Sequence, residues 1–191
     1  MQCKAPRERS AWGILLALLD REKTGLGCNA SISLFDTGVA SLANQATNWL
    51  NLQSIPQRLG SRHPNISPYG DTFFTADKKA LIVSTGTTRQ WEELCHLLEL
   101  SSLITDDRFK SNTLRLKFRD QLADCLAKGF SRFKAAQLLK MCRERQVPIA
   151  PIRDMQEVFA TPAAQDLVLE EVADDGTLSK RVKTAVFKIR R

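Results

Sequence analysis

The sequence has few of the features that mark disulfide-rich or metal-binding proteins. It contains five cysteines, an odd number, with no Cys-x-x-Cys pair and no histidine at ligand spacing from any of them. This spacing argues against a disulfide framework and against a structural zinc site. We therefore expect a reduced protein in which the helical cysteines pack as small apolar residues. The cysteines are Cys3, Cys28, Cys95, Cys125 and Cys142.

Long apolar runs are also absent. The longest, Trp12 to Leu19, is far shorter than the roughly 20 residues that cross a bilayer, and charged residues follow it directly from Asp20. The run also lacks the small-residue cleavage site that ends a secretory signal. We expect neither a membrane segment nor a targeting segment in the sequence. The expected location is cytoplasmic, or mitochondrial for a longer eukaryotic protein.

Common catalytic motifs are missing as well. The sequence has no Gly-x-Gly-x-x-Gly, Walker, His-Glu-x-x-His or Gly-x-Ser-x-Gly motif. Adjacent acidic residues such as Asp106 and Asp107 fit solvated turns better than an acid–base dyad. His96 falls on a predicted helix, where a lone histidine is usually a packing or surface residue. No catalytic residue and no metal ligand is therefore nominated.

The net charge of +7 has the sign that binding to nucleic acid or to a phosphate-bearing ligand requires. The basic residues are spread along the chain and toward both ends, and no aromatic side chains alternate with them. Charge alone does not distinguish the two kinds of ligand. Because aromatic side chains on which bases could stack do not alternate with the basic residues, we expect no nucleic-acid partner.

Hydrophobic periodicity predicts a helix, a strand and a second helix in the first quarter of the chain. The first helix covers residues 10–25, after a polar and basic leader over residues 1–10 that we expect to be unstructured. Apolar and polar residues alternate over residues 28–34, which is the period of a half-buried strand. The second helix covers residues 36–50, with Asp36 and Thr37 as its caps.

A loop without helical or strand period covers residues 51–71 and is rich in proline and glycine. Loops of about twenty residues are uncommon in compact domains and usually carry function. Glycine, a cation, an imidazole and amide groups together suit contact with a phosphate or a carboxylate. A structural loop pinned by its prolines is equally compatible with the composition. Residues 60–70 read Gly-Ser-Arg-His-Pro-Asn-Ile-Ser-Pro-Tyr-Gly.

The remaining elements follow from periodicity and turn residues. We predict a hairpin, three helices with buried faces, an extended edge strand held by two prolines, a short helix and a second hairpin. Thr88 and Ser131 are the expected caps of two of the helices. The ranges are 72–76 with 80–84, a helix from Thr88, helices 112–128 and 131–145, strand 147–152, helix 155–159, and 167–172 with 180–187.

Several segments in a fixed order carry a resemblance to a known family. An apolar helix ends in Lys23-Thr24-Gly25-Leu26-Gly27, and Ile32-Ser33-Leu34-Phe35-Asp36 follows. In order and spacing, these and the later segments resemble family III CoA-transferases, the CaiB/BaiF family, over about residues 12 to 189. The later segments are Gly60 to Tyr69, Phe73 to Asp77, Gln90 to Cys95, Asp106 to Phe109, Asn112, Arg115, Val147 to Ile152, and Val158 with Phe159.

The resemblance implies a mixed α/β fold, with part of a Rossmann-like large domain and the small α+β domain of that family. It divides the chain into the leader 1–10, a helix-strand-helix remnant of the large domain over 11–52, the small domain over 53–140, and a truncated return segment over 141–191. It also implies homodimers in full-length relatives.

The activity that the resemblance implies is transfer of coenzyme A from an acyl-CoA to a carboxylic acid. An aspartate attacks the thioester in such enzymes, and the acyl group passes through an anhydride of similar energy. The CoA thioester is a co-substrate, and neither a tightly bound cofactor nor a metal is implied. The expected partners are therefore an acyl-CoA and a carboxylic acid.

Two departures from the family pattern matter for activity. The nucleophilic aspartate of the family lies about ten residues before the glycine that matches Gly13, near Cys3, but residues 1–10 contain no aspartate. The Rossmann-like half with most of the CoA contacts is not in the sequence. We therefore expect an inactive fragment when the chain is alone. The alternative is a non-catalytic dimerisation or interaction module.

The resemblance also nominates binding residues, because relatives place a lid over the active site at the long loop. The nominated loop residues are Gly60, His63, Asn65 and Tyr69. Leu34 is a further candidate, as an apolar side chain lining the CoA pocket. Ordinary core packing explains Leu34 equally well.

Overall fold

The structure is a computed structural model that describes residues 4–184 and 186–187. The chain divides into two compact units, residues 1–58 and 59–191. The fold class predicted from the sequence, mixed α/β, is confirmed. Residues 1–3 of the predicted leader, with Cys3, and the end of the return segment lie outside the described residues. The predicted domain boundaries after residues 52 and 140 stay predictions.

The first unit begins with a long helix where part of an unstructured leader was predicted. Helix α1 covers Lys4–Thr24, so the leader prediction is wrong for residues 4–10. Pro6 fits because the first turn of a helix has backbone N–H groups without intrahelical partners. Most of the other residues at the start of α1, including Ala5 and Arg7, are good helix formers.

The predicted strand over residues 28–34 is not formed. Residues 26–33 have no regular structure, because no described strand of the first unit offers the hydrogen bonds that a strand needs. Helix α2 instead begins at Leu34 and covers Leu34–Ala40, and the Ser33 side chain caps it by accepting from the Asp36 backbone N–H at 3.2 Å. Asp36 therefore lies inside the first turn and is not the cap.

The second predicted helix of this unit is also interrupted. It divides into α2 and helix α3, which covers Asn44–Leu52. The break falls where Ala43 takes a positive φ of 48°. A positive φ is outside the helical region for a residue with a side chain, so the helix cannot continue through this position.

A three-stranded antiparallel sheet forms the centre of the second unit. Strand β1 covers Tyr69–Phe74, β2 covers Ala80–Ser84 and β3 covers Ile149–Pro151, in the order β1-β2-β3. The predicted hairpin and the predicted edge strand are therefore confirmed. The edge position suits β3 because proline cannot donate a ladder hydrogen bond.

Helices pack against this sheet, and a separate two-stranded hairpin follows them in the chain. The predicted helix over 155–159 has the bounds expected, whereas the helix predicted over 112–128 divides into two at Phe118. Thr87 is the cap of α4 in place of Thr88, and the predicted Ser131 helix begins four residues later. The elements are α4 Thr88–Leu97, α5 Ser102–Thr105, α6 Asn112–Lys117, α7 Arg119–Phe130, α8 Ala135–Glu144, α9 Met155–Phe159, α10 Pro162–Gln165, β4 Val168–Val172 and β5 Leu178–Val182.

The core of the second unit lies between the sheet and helices α4, α7 and α8. Phe73 of β1 stacks on Phe130 of α7 with ring centroids 4.7 Å apart. Each fully buried apolar side chain contributes about 1.5–3 kcal/mol. These side chains include Leu81, Val83, Leu94, Leu98, Leu122, Leu126 and Leu138.

The turn of the β1–β2 hairpin is joined to the start of α8 through Asp77. Its Oδ1 atom accepts from the Thr75 hydroxyl at 2.6 Å and from the Ala135 backbone N–H, in the first turn of α8, at 2.9 Å. These two hydrogen bonds, the Thr75 one first, hold the pKa of the Asp77 carboxyl below its ordinary value. The negative charge also suits the positive end of the α8 dipole.

We expect Asp77→Asn to destabilise the chain at neutral pH and to have little effect in acid. Because the folded-state pKa lies below the unfolded one, the ionised carboxyl contributes stability above the unfolded pKa, and this contribution is lost as the pH falls through the folded pKa. Urea unfolding between about pH 7 and about pH 3 measures the difference. The exposed Asp124→Asn is the control, and a stability difference that grows in acid would contradict the assignment.

Candidate functional site

The candidate site is the loop from Leu59 to Gly70 that leads into β1. Although it has almost no regular structure, its backbone carbonyls accept hydrogen bonds from side chains of α6, of α7, of Thr85 just after β2, and of Ser61 in the loop itself. Among the described residues, side-chain donors reach seven of the eight carbonyls from His63 to Gly70, all except that of Pro64. The carbonyls belong to His63, Asn65, Ile66, Ser67, Pro68, Tyr69 and Gly70.

Arg119, the first residue of α7, binds the loop at two positions that are six residues apart in the sequence. Its Nη1 atom donates to the His63 carbonyl at 2.7 Å, and Nη2 donates to the Tyr69 carbonyl at 3.3 Å. Nη2 also pairs with Asp71 Oδ2 at 3.1 Å. A planar guanidinium carries several donors in a fixed fork, so a single side chain can fix two separate backbone positions.

Arg115 of α6 holds the middle of the loop. Its Nε atom donates to the Ser67 carbonyl at 2.8 Å and Nη1 donates to the Phe109 carbonyl at 2.9 Å. The guanidinium lies over the Trp91 ring at 5.0 Å, and only 5% of the residue is exposed. Burial lowers the pKa of this guanidinium, which the two carbonyls and the ring stabilise in its charged form.

Two uncharged side chains also hold the loop. Asn112 donates from Nδ2 to the Asn65 carbonyl at 2.8 Å and accepts from the Ser67 backbone N–H at 3.1 Å. The hydroxyl of Thr85, the residue after β2, donates to the Pro68 carbonyl at 2.7 Å. The loop is therefore held from α6, from α7 and from the residue that follows β2. We call Asn112, Arg115, Arg119 and Thr85 the loop clamp.

Asp71 balances the charge of the arginines around the loop. Its side chain is 5% exposed and pairs with Arg119 on one oxygen and with Arg62 Nε on the other, at 3.0 Å. Arg62 also pairs with the exposed Asp120 at 2.8 Å. A buried carboxylate is costly unless it is paired, and here two guanidinium groups pair with it.

Gly70 is required where the loop joins β1. Its φ is +77°, and a Cβ atom at this position would lie 1.9 Å from the Ser61 carbonyl oxygen. The Ser61 hydroxyl in turn donates to the Gly70 carbonyl. Both the dihedral angle and the close approach of two backbones exclude any other residue without a shift of the loop.

The structure brings three of the nominated loop residues together. The rings of His63 and Tyr69 meet edge to face at 5.3 Å, and the Asn65 backbone N–H donates to His63 Nδ1 at 3.1 Å. Gly60 lies at the exposed start of the loop with a φ of +64°. Leu34 lies in the first unit and is 75% exposed, so core packing does not explain it. Its role in a CoA pocket stays a prediction.

The clamp residues were not nominated from the sequence, although a signal for them exists. Arg115, Arg119, Leu122 and Leu126 are spaced by four, three and four residues, and both leucines are buried. At this helical spacing the two arginines share a face with the two buried leucines. Arginines on an apolar face indicate buried cations that need partners.

The cysteines offer no alternative nucleophile in the core. Cys95 and Cys142 are buried, as expected for helical cysteines, and burial raises the pKa of each thiol to about 12. Thiols in that state are not reactive at neutral pH.

Within residues 4–184 and 186–187, no cluster of three or more His, Cys, Asp or Glu side chains is arranged to hold a metal ion. No helix in the same residues is long and apolar enough to cross a membrane.

The sequence matches CoA-transferase family III over residues 9–191. The chain therefore belongs to this family, and the resemblance described from the sequence is confirmed. One similar protein is the succinate–glutarate CoA-transferase of Agrobacterium fabrum, with 33% identity over 180 residues that cover 93% of this chain and 44% of the relative. Another is an acyl-CoA transferase of Fusarium pseudograminearum, with 36% identity over 84% of this chain and 35% of the relative.

Solved structures agree with this assignment. A CaiB/BaiF family protein from Brucella suis has 32% identity and a TM-score of 0.66, covering 96% of this chain and 47% of its own. A protein from Mycobacterium tuberculosis has a TM-score of 0.74 at 24% identity over 94% of this chain and 46% of its own, which supports the fold alone. The chain thus spans less than half the length of each of these relatives.

Gly70→Ala tests the close approach of the loop to β1. We expect a loss of at least about 3 kcal/mol in the free energy of unfolding, because the new methyl group meets a backbone oxygen and a positive φ is strained. Gly60→Ala is the matched control, since it has a positive φ with open space around it. That control is expected to lose about 1 kcal/mol. Equal losses in urea unfolding would contradict the close contact.

Proposed function

We propose that this chain is part of a CoA-transferase that moves coenzyme A from an acyl-CoA to a carboxylic acid, and that its loop contributes to the acyl-CoA site. The observation that carries the proposal is the loop clamp. It occupies the loop carbonyls with protein donors and leaves the half-buried rings of His63 and Tyr69 beside each other. A rigid loop suits ligand binding because little conformational entropy is then lost on association.

The role that we propose for the chain is binding, and the nucleophile is not part of it. In the family pattern the aspartate falls near Cys3, where residues 1–10 contain none. Glu8 is the only acidic residue in that segment. We therefore propose that the chain alone does not transfer CoA and that the CoA thioester is a co-substrate without a tightly bound cofactor.

Dicarboxylic acids are the acceptor class that we propose. The names of the relatives pair coenzyme A with succinate and glutarate in Agrobacterium fabrum, with oxalate in Acetobacter aceti, and with mesaconate in Haloarcula hispanica. All of these acids are short and carry two carboxylates. A second carboxylate provides an anchor for a cation away from the reacting group.

A second candidate function is a non-catalytic interaction module that forms a homodimer. It is favoured by α1, where large apolar side chains such as Trp12 and Leu16 are 65% and 66% exposed. Leu15 and Leu19 on the same helix are each 59% exposed. Large apolar side chains that are exposed together on one helix usually contact another protein surface.

We expect the purified chain to bind coenzyme A saturably but to give no thioester exchange. Calorimetry measures binding, and mass spectrometry follows exchange between acetyl-CoA or succinyl-CoA and oxalate, succinate or glutarate. Failure of the folded chain to bind any CoA species would contradict the first proposal. Exchange would contradict the inactivity of the isolated chain and would point to another carboxylate as nucleophile.

Sedimentation over a range of protein concentrations separates the two candidates. Dimerisation together with CoA binding fits the CoA-transferase proposal, whereas dimerisation without CoA binding favours the interaction module. A Leu16→Glu variant is expected to weaken the association by placing a charge in an apolar interface. A monomer at all concentrations would contradict the second candidate.

A further inference from the structure

The His63 imidazole is held in one tautomer by the backbone of its own loop. Its Nδ1 atom accepts a hydrogen bond from the Asn65 backbone N–H at 3.1 Å. A backbone N–H can only donate, so Nδ1 carries no proton. A neutral imidazole has one proton, which must then be on Nε2.

Hydrogen bonds fix the His63 backbone, and the Tyr69 ring packs against its side chain. The His63 backbone N–H donates to the Tyr69 carbonyl at 2.8 Å, and the His63 carbonyl accepts from Arg119 at 2.7 Å. The Tyr69 ring packs edge to face against the imidazole, with 69° between the ring planes. Across residues 4–184 and 186–187, no protein group accepts a hydrogen bond from Nε2. The half-buried ring thus presents an N–H donor with a defined direction.

The charges around the ring are already compensated. Arg119 pairs with Asp71, and Arg62 pairs with both Asp71 and Asp120. This part of the site therefore has little net positive charge to attract an anion. The interaction that it offers to a ligand is a hydrogen bond from the His63 Nε2–H. A neutral donor of this kind suits a carbonyl oxygen.

We propose that His63 binds acyl-CoA by donating its Nε2–H to an oxygen of the CoA thioester, and that it does not serve as a proton acceptor. The proposal rests on the proposed function for the identity of the ligand. The hydrogen bond to Asn65 occupies Nδ1, and Nε2 already has its proton, so neither ring nitrogen is able to take a proton from a substrate without breaking a contact.

Nitrogen NMR of the free chain tests the tautomer without any ligand. The sequence has only two histidines, His63 and His96, so a His96→Gln variant assigns both rings. At about pH 8, where an ordinary imidazole is neutral, long-range ¹H–¹⁵N spectra distinguish a protonated from an unprotonated ring nitrogen. We expect a protonated Nε2 in His63, and a protonated Nδ1 would overturn the proposal.

Titration of the same sample identifies the acceptor. Acetyl-CoA is expected to shift the His63 Nε2–H signal, and free CoA, which lacks the acyl carbonyl, to shift it less. An equal shift with free CoA would overturn the thioester oxygen as the acceptor. A shift with glutarate alone, or acetyl-CoA binding without a shift, would overturn the proposal. If calorimetry detects no acetyl-CoA binding at all, the proposed function itself fails.

Two variants test the position of the donor. A glutamine side chain places an amide N–H near the position of Nε2, whereas an asparagine side chain reaches only to the position of Nδ1. We expect His63→Gln to keep acetyl-CoA affinity within about threefold, and His63→Asn to lose about tenfold, the value of one hydrogen bond. Unfolding curves check that both variants fold. Equal affinities for the two variants would overturn the proposal.

Discussion

The hydrogen bonds from Arg115 and Arg119 to loop carbonyls are the interactions on which the rest of the candidate site depends. A loop within a compact unit contains carbonyl groups that water no longer fully solvates, and each unpaired one costs free energy. Guanidinium groups can pair with several such carbonyls because each has several N–H donors and no acceptor. The cations are in turn compensated by Asp71 and by the Trp91 ring. The loop, the arginines and the acidic residue therefore stabilise one another.

This arrangement explains how a segment without regular structure can hold a defined binding geometry. The clamp fixes backbone positions on both sides of the His63 and Tyr69 rings, and Gly70 lets the loop approach its own start closely. The rings are then positioned before any ligand arrives, which lowers the entropic cost of binding. The sequence left open whether the loop was functional or merely structural. The structure shows a loop whose carbonyls are held by hydrogen bonds from distant side chains, and a loop held in this way is suited to binding.

Local patterns predicted the elements whose stability is local. The hairpin of β1 and β2, the edge strand β3 and helix α9 were all predicted, because alternation, turn residues and prolines act over a few residues. The prediction of a strand over residues 28–34 was wrong because strand formation depends on a neighbouring strand, which periodicity does not reveal. The prediction of an unstructured leader over residues 1–10 rested on polar and basic composition, a proline and the lack of periodicity, although most of these residues are good helix formers.

The candidate site was predicted only in part for a similar reason. Composition pointed to the loop, and the family resemblance nominated His63, Asn65 and Tyr69. Three of the four clamp residues, however, lie about fifty positions away from the carbonyls they bind. An arginine on the apolar face of a helix indicates that a partner exists but does not say which backbone it binds. Only the fold places Arg119 against both the His63 and the Tyr69 carbonyls.

Amide hydrogen exchange of the loop in an Arg119→Lys variant tests the clamp most directly. Lysine keeps the charge but lacks the fork that reaches two carbonyls. The account predicts that the His63 amide, which donates to the Tyr69 carbonyl, exchanges at least about tenfold faster in this variant, while the Leu126 amide in α7 is unchanged. An Arg143→Lys variant on the exposed part of α8 is the control. Unchanged exchange at His63 would show that the loop does not depend on Arg119, and it would contradict the account.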